Sequence, residues 1–312
     1  MTFDSILDEN IPEDHKSGVI AVVGRPNVGK STLINAILGT KIAIATPKPQ
    51  TTRRTQLGIY STEEVQLLFT DTPGLHAPRN TLGEYMMTVA ENALRHTDVI
   101  LWILDTSESP QKPDVYIAET IAQKRGDATL ILALNKFDLT NERTDFSKFE
   151  ALIPHDYALK VSAATGEGVP QLLSTLIASV PEGPRYYPLD QLSDLNMRFI
   201  AAEIVREKVM LNTDHEIPHA VAVEITDYKN RDEEERTDIY ATIYVERQSQ
   251  KGIVIGKGGT MIKQVGTEAR KDLEEMLGQQ VFLDLHVKVL KNWRSNEQFM
   301  RRVGYTIPKD ED

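Results

Sequence analysis

One stretch constrains this chain more than any other: Gly24, Arg25, Pro26, Asn27, Val28, Gly29, Lys30, Ser31 and Thr32. Its first eight residues fit G-x-x-x-x-G-K-[ST], directly after the β-rich run Gly18–Val23 and before a helical pattern that starts at Lys30. The glycines let the backbone curl so that successive N–H groups point at phosphate oxygens, and the following helix adds its positive N-terminal end. Lys30 is expected to reach the β- and γ-phosphates of a nucleoside triphosphate, with the Ser31 hydroxyl on Mg2+. Four fixed positions match by accident in roughly one 300-residue chain in a hundred. The strand–loop–helix setting lowers that further.

Such a loop needs a sheet behind it, and the first half supplies one. Val65–Phe69, Val99–Leu104 and Thr129–Leu134 are nearly continuous aliphatic runs, with a weaker one at Leu159–Ser162. Buried parallel strands read this way when helices cover both faces. Helical patterns at Thr81–Arg95 and Pro113–Lys124 fall between them. The expectation is a doubly wound, mostly parallel α/β domain over residues 17–182, after an acidic extension at 1–16. A proline-rich stretch from Pro181 to Pro188 cannot continue a helix or central strand, and a linker is placed at 183–195.

Composition sets the outer limits. A length of 312 residues suits two domains, and 40% hydrophobic with 26% charged residues is ordinary for a globular chain. The absence of cysteine excludes disulfides, thiolate metal sites and cysteine nucleophiles. No apolar run approaches the ~18 residues of a membrane span, and the first sixteen residues lack the order of a secretory signal, so a cytosolic protein is expected.

The base and the metal are read from three further motifs. Asp71, Thr72, Pro73 and Gly74 follow the run Val65–Phe69, 47 residues after Gly24. There Asp71 joins the Mg2+ shell and the Gly74 N–H senses the γ-phosphate. Asn135, Lys136, Phe137 and Asp138 end the run Thr129–Leu134. A carboxylate at 138 accepts from both N1–H and the exocyclic amine of guanine, a donor pair that adenine lacks. Ser162 and Ala163 either offer backbone N–H groups to the guanine carbonyl oxygen or simply cap a turn. The nucleotide is therefore GTP, with GDP after turnover. Leu75 stands where Ras-type GTPases carry the water-orienting glutamine, which predicts slow unaided hydrolysis. Asn27 either helps hold K+ near the phosphates or packs the loop. Thr52, chosen over Thr51, is expected to complete the Mg2+ shell.

The second half changes order to helix, strand, strand, helix, strand over 196–312. Alternation at Val221–Thr226, Ile239–Val245 and Val281–Val289 gives half-buried strands, and the acidic tract Asp232–Glu235 gives a solvated hairpin loop. Gly252–Gly259 precedes the helical stretch Thr260–Leu277, and its core Gly256, Lys257, Gly258, Gly259 is the G-x-x-G of a KH module gripping about four single-stranded nucleotides. Although the chain carries a net charge of −11, Arg247–Arg302 holds 11 Lys plus Arg against 6 Asp plus Glu, a local basic face suited to phosphates. Lys251, Lys257, Lys263, Arg270 and Lys288 are the chosen RNA contacts, with Lys291 and Arg294 as further candidates. Trp293 either stacks on a base or packs beneath a strand. His215 and His219 lack metal-ligand spacing and receive no role.

Together these motifs, with Pro49–Arg53, Arg198-Phe199, Arg206–Lys208 and Glu268–Asp272, resemble the Era family of bacterial GTPases from about Lys16 to Tyr305. The resemblance implies a P-loop GTPase domain followed by an α+β type II KH domain. It implies an assembly factor for the small (30S) ribosomal subunit that binds 16S ribosomal RNA near its 3′ end. GTP favours the RNA-competent arrangement and hydrolysis releases the factor. Leu75 matches the family's hydrophobic replacement of the glutamine. A cytoplasmic monomer with some peripheral contact at the inner membrane surface is implied, without a transmembrane segment. Two alternatives stay open: an RNA-binding scaffold in which turnover does not matter, and a tRNA-modification-type GTPase.

Overall fold

The computed structural model describes residues 11–40, 56–73, 81–95, 97–189, 191, 196–214, 216–231 and 235–305. Thr51, Thr52, Gly74, Leu75 and His215 lie outside these residues, as does most of the acidic tract at 232–234.

The first sheet is built from β1 (Lys16–Val23), β2 (Gln56–Ser61), β3 (Val65–Asp71), β4 (Val99–Asp105), β5 (Thr129–Asn135) and β6 (Tyr157–Lys160). Its helices are α1 (Lys30–Leu38), α2 (Thr81–Ala93), α3 (Lys112–Lys124), α4 (Ser147–Glu150) and α5 (Val169–Ser179). Strand order is β2-β3-β1-β4-β5-β6, parallel except for β2 against β3. Alternate residues of the aliphatic runs serve two cores. Ile20, Val22, Leu101 and Ile103 face Leu33 and Ile34 of α1 and Leu172 of α5, while Ala21, Val23, Ile100 and Trp102 face Met87 and Ala90 of α2 and Ile117 of α3. Each such side chain contributes about 1.5–3 kcal/mol on leaving water. The order reverses at β1, so the Gly24–Ser31 loop opens at the switch point beyond the strand ends, where ligands bind in such sheets. The last strand differs from expectation. Register with β5 pairs Tyr157–Lys160 with Ile131–Leu134, and the chain turns away after Val161.

The second sheet holds β7 (Ala222–Arg231), β8 (Arg236–Val245) and β9 (Gln280–Val289), with β7 antiparallel and β9 parallel to β8. Its accompanying helices are α6 (Met197–Asn212), α7 (Ile217–Ala220), α8 (Gln248–Ile255), α9 (Thr260–Leu277) and α10 (Glu297–Arg302). Val205, Val209, Val265, Ala269 and Leu273 pack with Ile239, Ala241 and Ile243 into one core. Two of the resembling motifs meet here. Lys208 Nζ lies 2.6 Å from Asp272 Oδ2, tying α6 to α9. Arg206, fully buried, donates from Nε to Glu203 Oε1 at 2.7 Å. Helix α8 takes in the first four residues of the Gly252–Gly259 stretch. Gln250 accepts from the N–H groups of Glu246 and Arg247 at 2.9 Å, Val254 is buried, and exposed Gly252 is carried inside the helix. A helical glycine costs only about 1 kcal/mol, which these contacts offset.

The two halves meet through one apolar cluster. Leu82, Tyr85, Met86 and Val89 of α2 pack with Ala222, Tyr244, Trp293, Phe299, Met300 and Tyr305. Rings of Tyr85 and Tyr305 lie 6.0 Å apart, and those of Trp293 and Phe299 5.8 Å apart. No helix among the described residues is long and apolar enough to cross a membrane.

Candidate nucleotide site and RNA-binding face

The loop's shape follows from two constraints. Gly29 sits at φ 100°, and a Cβ there would come within 2.4 Å of Asn135 Nδ2. That amide donates to the Val28 carbonyl at 2.7 Å, so β5 holds the loop from behind. Lys30 Nζ donates to the carbonyls of Gly24 and Arg25, each at 3.0 Å, drawing the loop around its own ammonium group. Burial lowers the Lys30 pKa to about 8, with the Asp71 carboxylate opposing the shift. Arg25 is braced from outside by Glu108 at 2.7 Å and Asp114 at 3.2 Å, and Pro26 and Thr32 are half-buried. Asn27 is exposed at φ 66°, a left-handed position that asparagine tolerates better than most residues.

Thr72 Oγ1 donates to the Val22 carbonyl at 2.7 Å, which fixes the end of β3 against β1. Buried Pro73 follows it. The Ser31 hydroxyl then lies 2.8 Å from Asp71 Oδ2, both residues buried. One hydroxyl and one carboxylate are hard oxygen donors, the set Mg2+ takes when phosphates and water complete its octahedron. No cluster of three or more carboxylates and imidazoles occurs among the described residues.

On the base side the structure redirects two expected donors. The Ala163 N–H donates to Asn135 Oδ1 at 2.9 Å, and the Ser162 N–H to the Glu167 carbonyl at 2.8 Å. Neither points freely at a guanine oxygen. Ser162 Oγ accepts from the Thr165 N–H at 3.2 Å, the turn-capping alternative. Asp138 stands exposed in the 3₁₀ turn Phe137–Leu139. Phe137 packs on Phe146 with ring centroids 6.1 Å apart. Lys136 adopts φ 62° and reaches Asp105 Oδ2 at 2.6 Å. Burial pushes the Asp105 carboxyl up, but hydrogen bonds from Lys136 and Ser107 outweigh it and hold the group below the usual carboxylate range. Sequence reasoning missed Asp105. Its one signal was a carboxylate ending the buried run Val99–Leu104.

In the second domain Gly256, Gly258 and Gly259 all have positive φ. A Cβ on Gly256 would come within 2.7 Å of the Met261 amide nitrogen, so the turn itself admits only glycine there. Lys257 is exposed at the turn, and Lys263 and Arg270, seven residues apart on α9, share an exposed face. Arg270 Nε lies 3.8 Å from Glu274. Lys251 is half-buried on α8, and Lys288 is exposed on β9, an edge strand of the second sheet. Trp293 is fully buried and donates to the Ala220 carbonyl at 2.7 Å, which resolves its two readings in favour of packing.

Fold and site together define a P-loop GTPase joined to a KH nucleic-acid-binding domain. Residues 19–136 match the family described as 50S ribosome-binding GTPase, and residues 216–294 match the KH domain family. GTPase Era of Caldanaerobacter subterraneus subsp. tengcongensis is 45% identical over 298 residues, covering 95% of this chain and 99% of that protein. A crystal structure of Era in complex with MgGDPNP and nucleotides 1506–1542 of 16S ribosomal RNA superposes with a TM-score of 0.88 at 37% identity, covering 94% of this chain and 99% of that one. A point variant of Aquifex aeolicus Era bound to GDP and aluminium fluoride gives 0.86 at 36% identity, covering 93% and 99%. This chain belongs to the Era family of GTPases.

Proposed function

We propose that this chain is a GTP-hydrolysing switch that grips 16S ribosomal RNA near its 3′ end through the KH domain and assists assembly of the small (30S) ribosomal subunit. The observation that carries the reading is the apolar cluster joining the halves. Helix α2 follows the Asp71–Pro73 segment in sequence, and its face of Leu82, Tyr85, Met86 and Val89 is packed on the KH domain. A change at the γ-phosphate side of the site therefore has a mechanical route to the RNA-binding half. The relative's complex with a 16S segment supports the choice of RNA.

In this reading the domain boundaries are 17–182 and 196–312, and each site residue except Ser162 and Ala163 keeps the role its motif gives it. Lys30 binds the β- and γ-phosphates. Ser31, Asp71 and Thr52 hold Mg2+, which when bound shields charge on the β- and γ-phosphates. Gly74 reports the γ-phosphate. Asn135 braces the loop, Lys136 and Asp138 receive the guanine, and Leu75 leaves the attacking water without an orienting amide. The Ala164 N–H, which has no partner among the described residues, replaces Ala163 as the amide for the guanine oxygen. The working location is cytoplasmic, with peripheral membrane contact and a monomeric state. Crosslinking the GTP-loaded protein to total cellular RNA tests the partner. The 3′ region of 16S RNA is the expected product, and enrichment of transfer RNA instead would favour the tRNA-modification class.

A further inference from the structure

Chain geometry gathers a second basic site on the KH domain, away from the Gly256–Gly259 turn. The Leu290 N–H donates to the Val245 carbonyl at 2.8 Å, so the segment leaving β9 stays beside the segment leaving β8. Asn292 then takes a left-handed turn at φ 53°, which buries Trp293 and returns Arg294 to pair with Glu246. The result is a surface cleft of about 480 Å³ lined by Glu246, Arg247, Lys291, Asn292 and Arg294. Three cations face one anion, and that anion is taken by Arg294. Arg247 and Lys291 are exposed and have no ion pair among the described residues.

The cleft's position matters as much as its charge. It lies at the start of α8, and the G-x-x-G turn lies at the end. Eight residues at 1.5 Å each put the two about 12 Å apart. A single strand held at Gly256–Gly259 for about four nucleotides has phosphates on either side that must pass along α8 or away from it. We infer that this cleft is a second phosphate subsite, holding the backbone of the RNA that flanks the segment in the KH groove, with Arg247 and Lys291 as the contacting cations. Trp293, the residue between Asn292 and Arg294, belongs to the cluster that receives α2. A strand seated in the cleft is thereby one residue from the contact between the two domains.

The inference rests on the RNA-binding reading, and its test separates the two. Single-stranded RNAs of about four and about ten nucleotides, cut from the 3′ end of 16S RNA around one shared tetranucleotide, are titrated against the full chain loaded with a GTP analogue. The double variant Arg247→Gln/Lys291→Gln is expected to bind the longer RNA about tenfold more weakly at roughly 0.1 M salt, with the log–log salt slope reduced by about 1.4 for the two lost single-strand phosphate contacts. Its affinity for the shorter RNA and for GTP should match the wild type. Lys257→Ala should weaken both RNAs. Equal binding of the longer RNA by wild type and double variant, with equal slopes, overturns the subsite. A wild type that binds neither RNA overturns the RNA-binding reading itself, and the subsite with it.

Discussion

Lys30 shows how much of the nucleotide site is settled by single residues. Buried among the carbonyls of its own loop, it carries a pKa near 8 in the folded chain, against 10.5 for a lysine free in water. Below about pH 8 both folded and unfolded chains hold the proton, and the folded state bears the cost of burying a charge. Between about 8 and 10.5 the unfolded chain binds more protons, so stability must rise with pH across that window. Relative to Lys30→Met, the nucleotide-free wild type should gain on the order of 3 kcal/mol in unfolding free energy between pH 7 and 10.5. Denaturant titrations at several pH values measure this, and a constant difference would show that Lys30 is solvated in the folded chain. Asp138 supplies a second residue-scale test. Asp138→Asn should lose GTP affinity by two orders of magnitude or so and gain xanthosine triphosphate, because an amide donates where the carboxylate accepted. Unchanged GTP affinity would remove this carboxylate from the base pocket.

Residue spacing was enough to expect Gly24, Gly29, Lys30, Ser31 and Asp71 around one loop at the ends of β1 and β3, and the structure places them there. It was not enough to place the Ala163 amide. That N–H goes to Asn135, 28 residues earlier, and no local pattern reveals which of several amides a distant side chain will claim. Asp105 was hidden for the same reason, because its partner Lys136 arrives only through the pairing of β4 with β5.

Elements were legible where hydrophobic period and punctuation agreed. The aliphatic runs became the central strands, and α9 begins and ends between Gly259 and Gly278 as its caps dictate. Helix α8 escaped notice because it is short and carries Gly252 in its interior. The difference lies in burial of Gln250 and Val254, which only the assembled core supplies. At this scale Gly29→Ala is the sharpest test of how α1 and β5 share the phosphate loop. The added methyl must displace the Asn135 amide 2.4 Å away, at a φ that side chains rarely adopt. The variant should fold, with a stability loss of about 1–3 kcal/mol, yet lose GTP binding at least a hundredfold by isothermal titration. Near-normal affinity would mean that Asn135 does not shape the loop.

The whole molecule is held together by the contact of α2 with Trp293, Phe299 and Tyr305, and this was the least legible feature of all. Trp293 offered two readings, stacking on a base or packing beneath a strand, and Thr81–Arg95 read only as a helical pattern. Neither stretch names the other in sequence. Their union gives the nucleotide half and the RNA half a shared apolar contact, through which the occupant of the first is predicted to bias the grip of the second. The direct measurement is the dissociation constant of one oligonucleotide from the 3′ end of 16S RNA, taken with nucleotide-free, GDP-loaded and GTP-analogue-loaded protein at a single ionic strength. Tighter binding in the triphosphate state than in the other two, by roughly five- to a hundredfold, is the predicted result. Three equal constants would contradict the coupling, whatever each domain does alone.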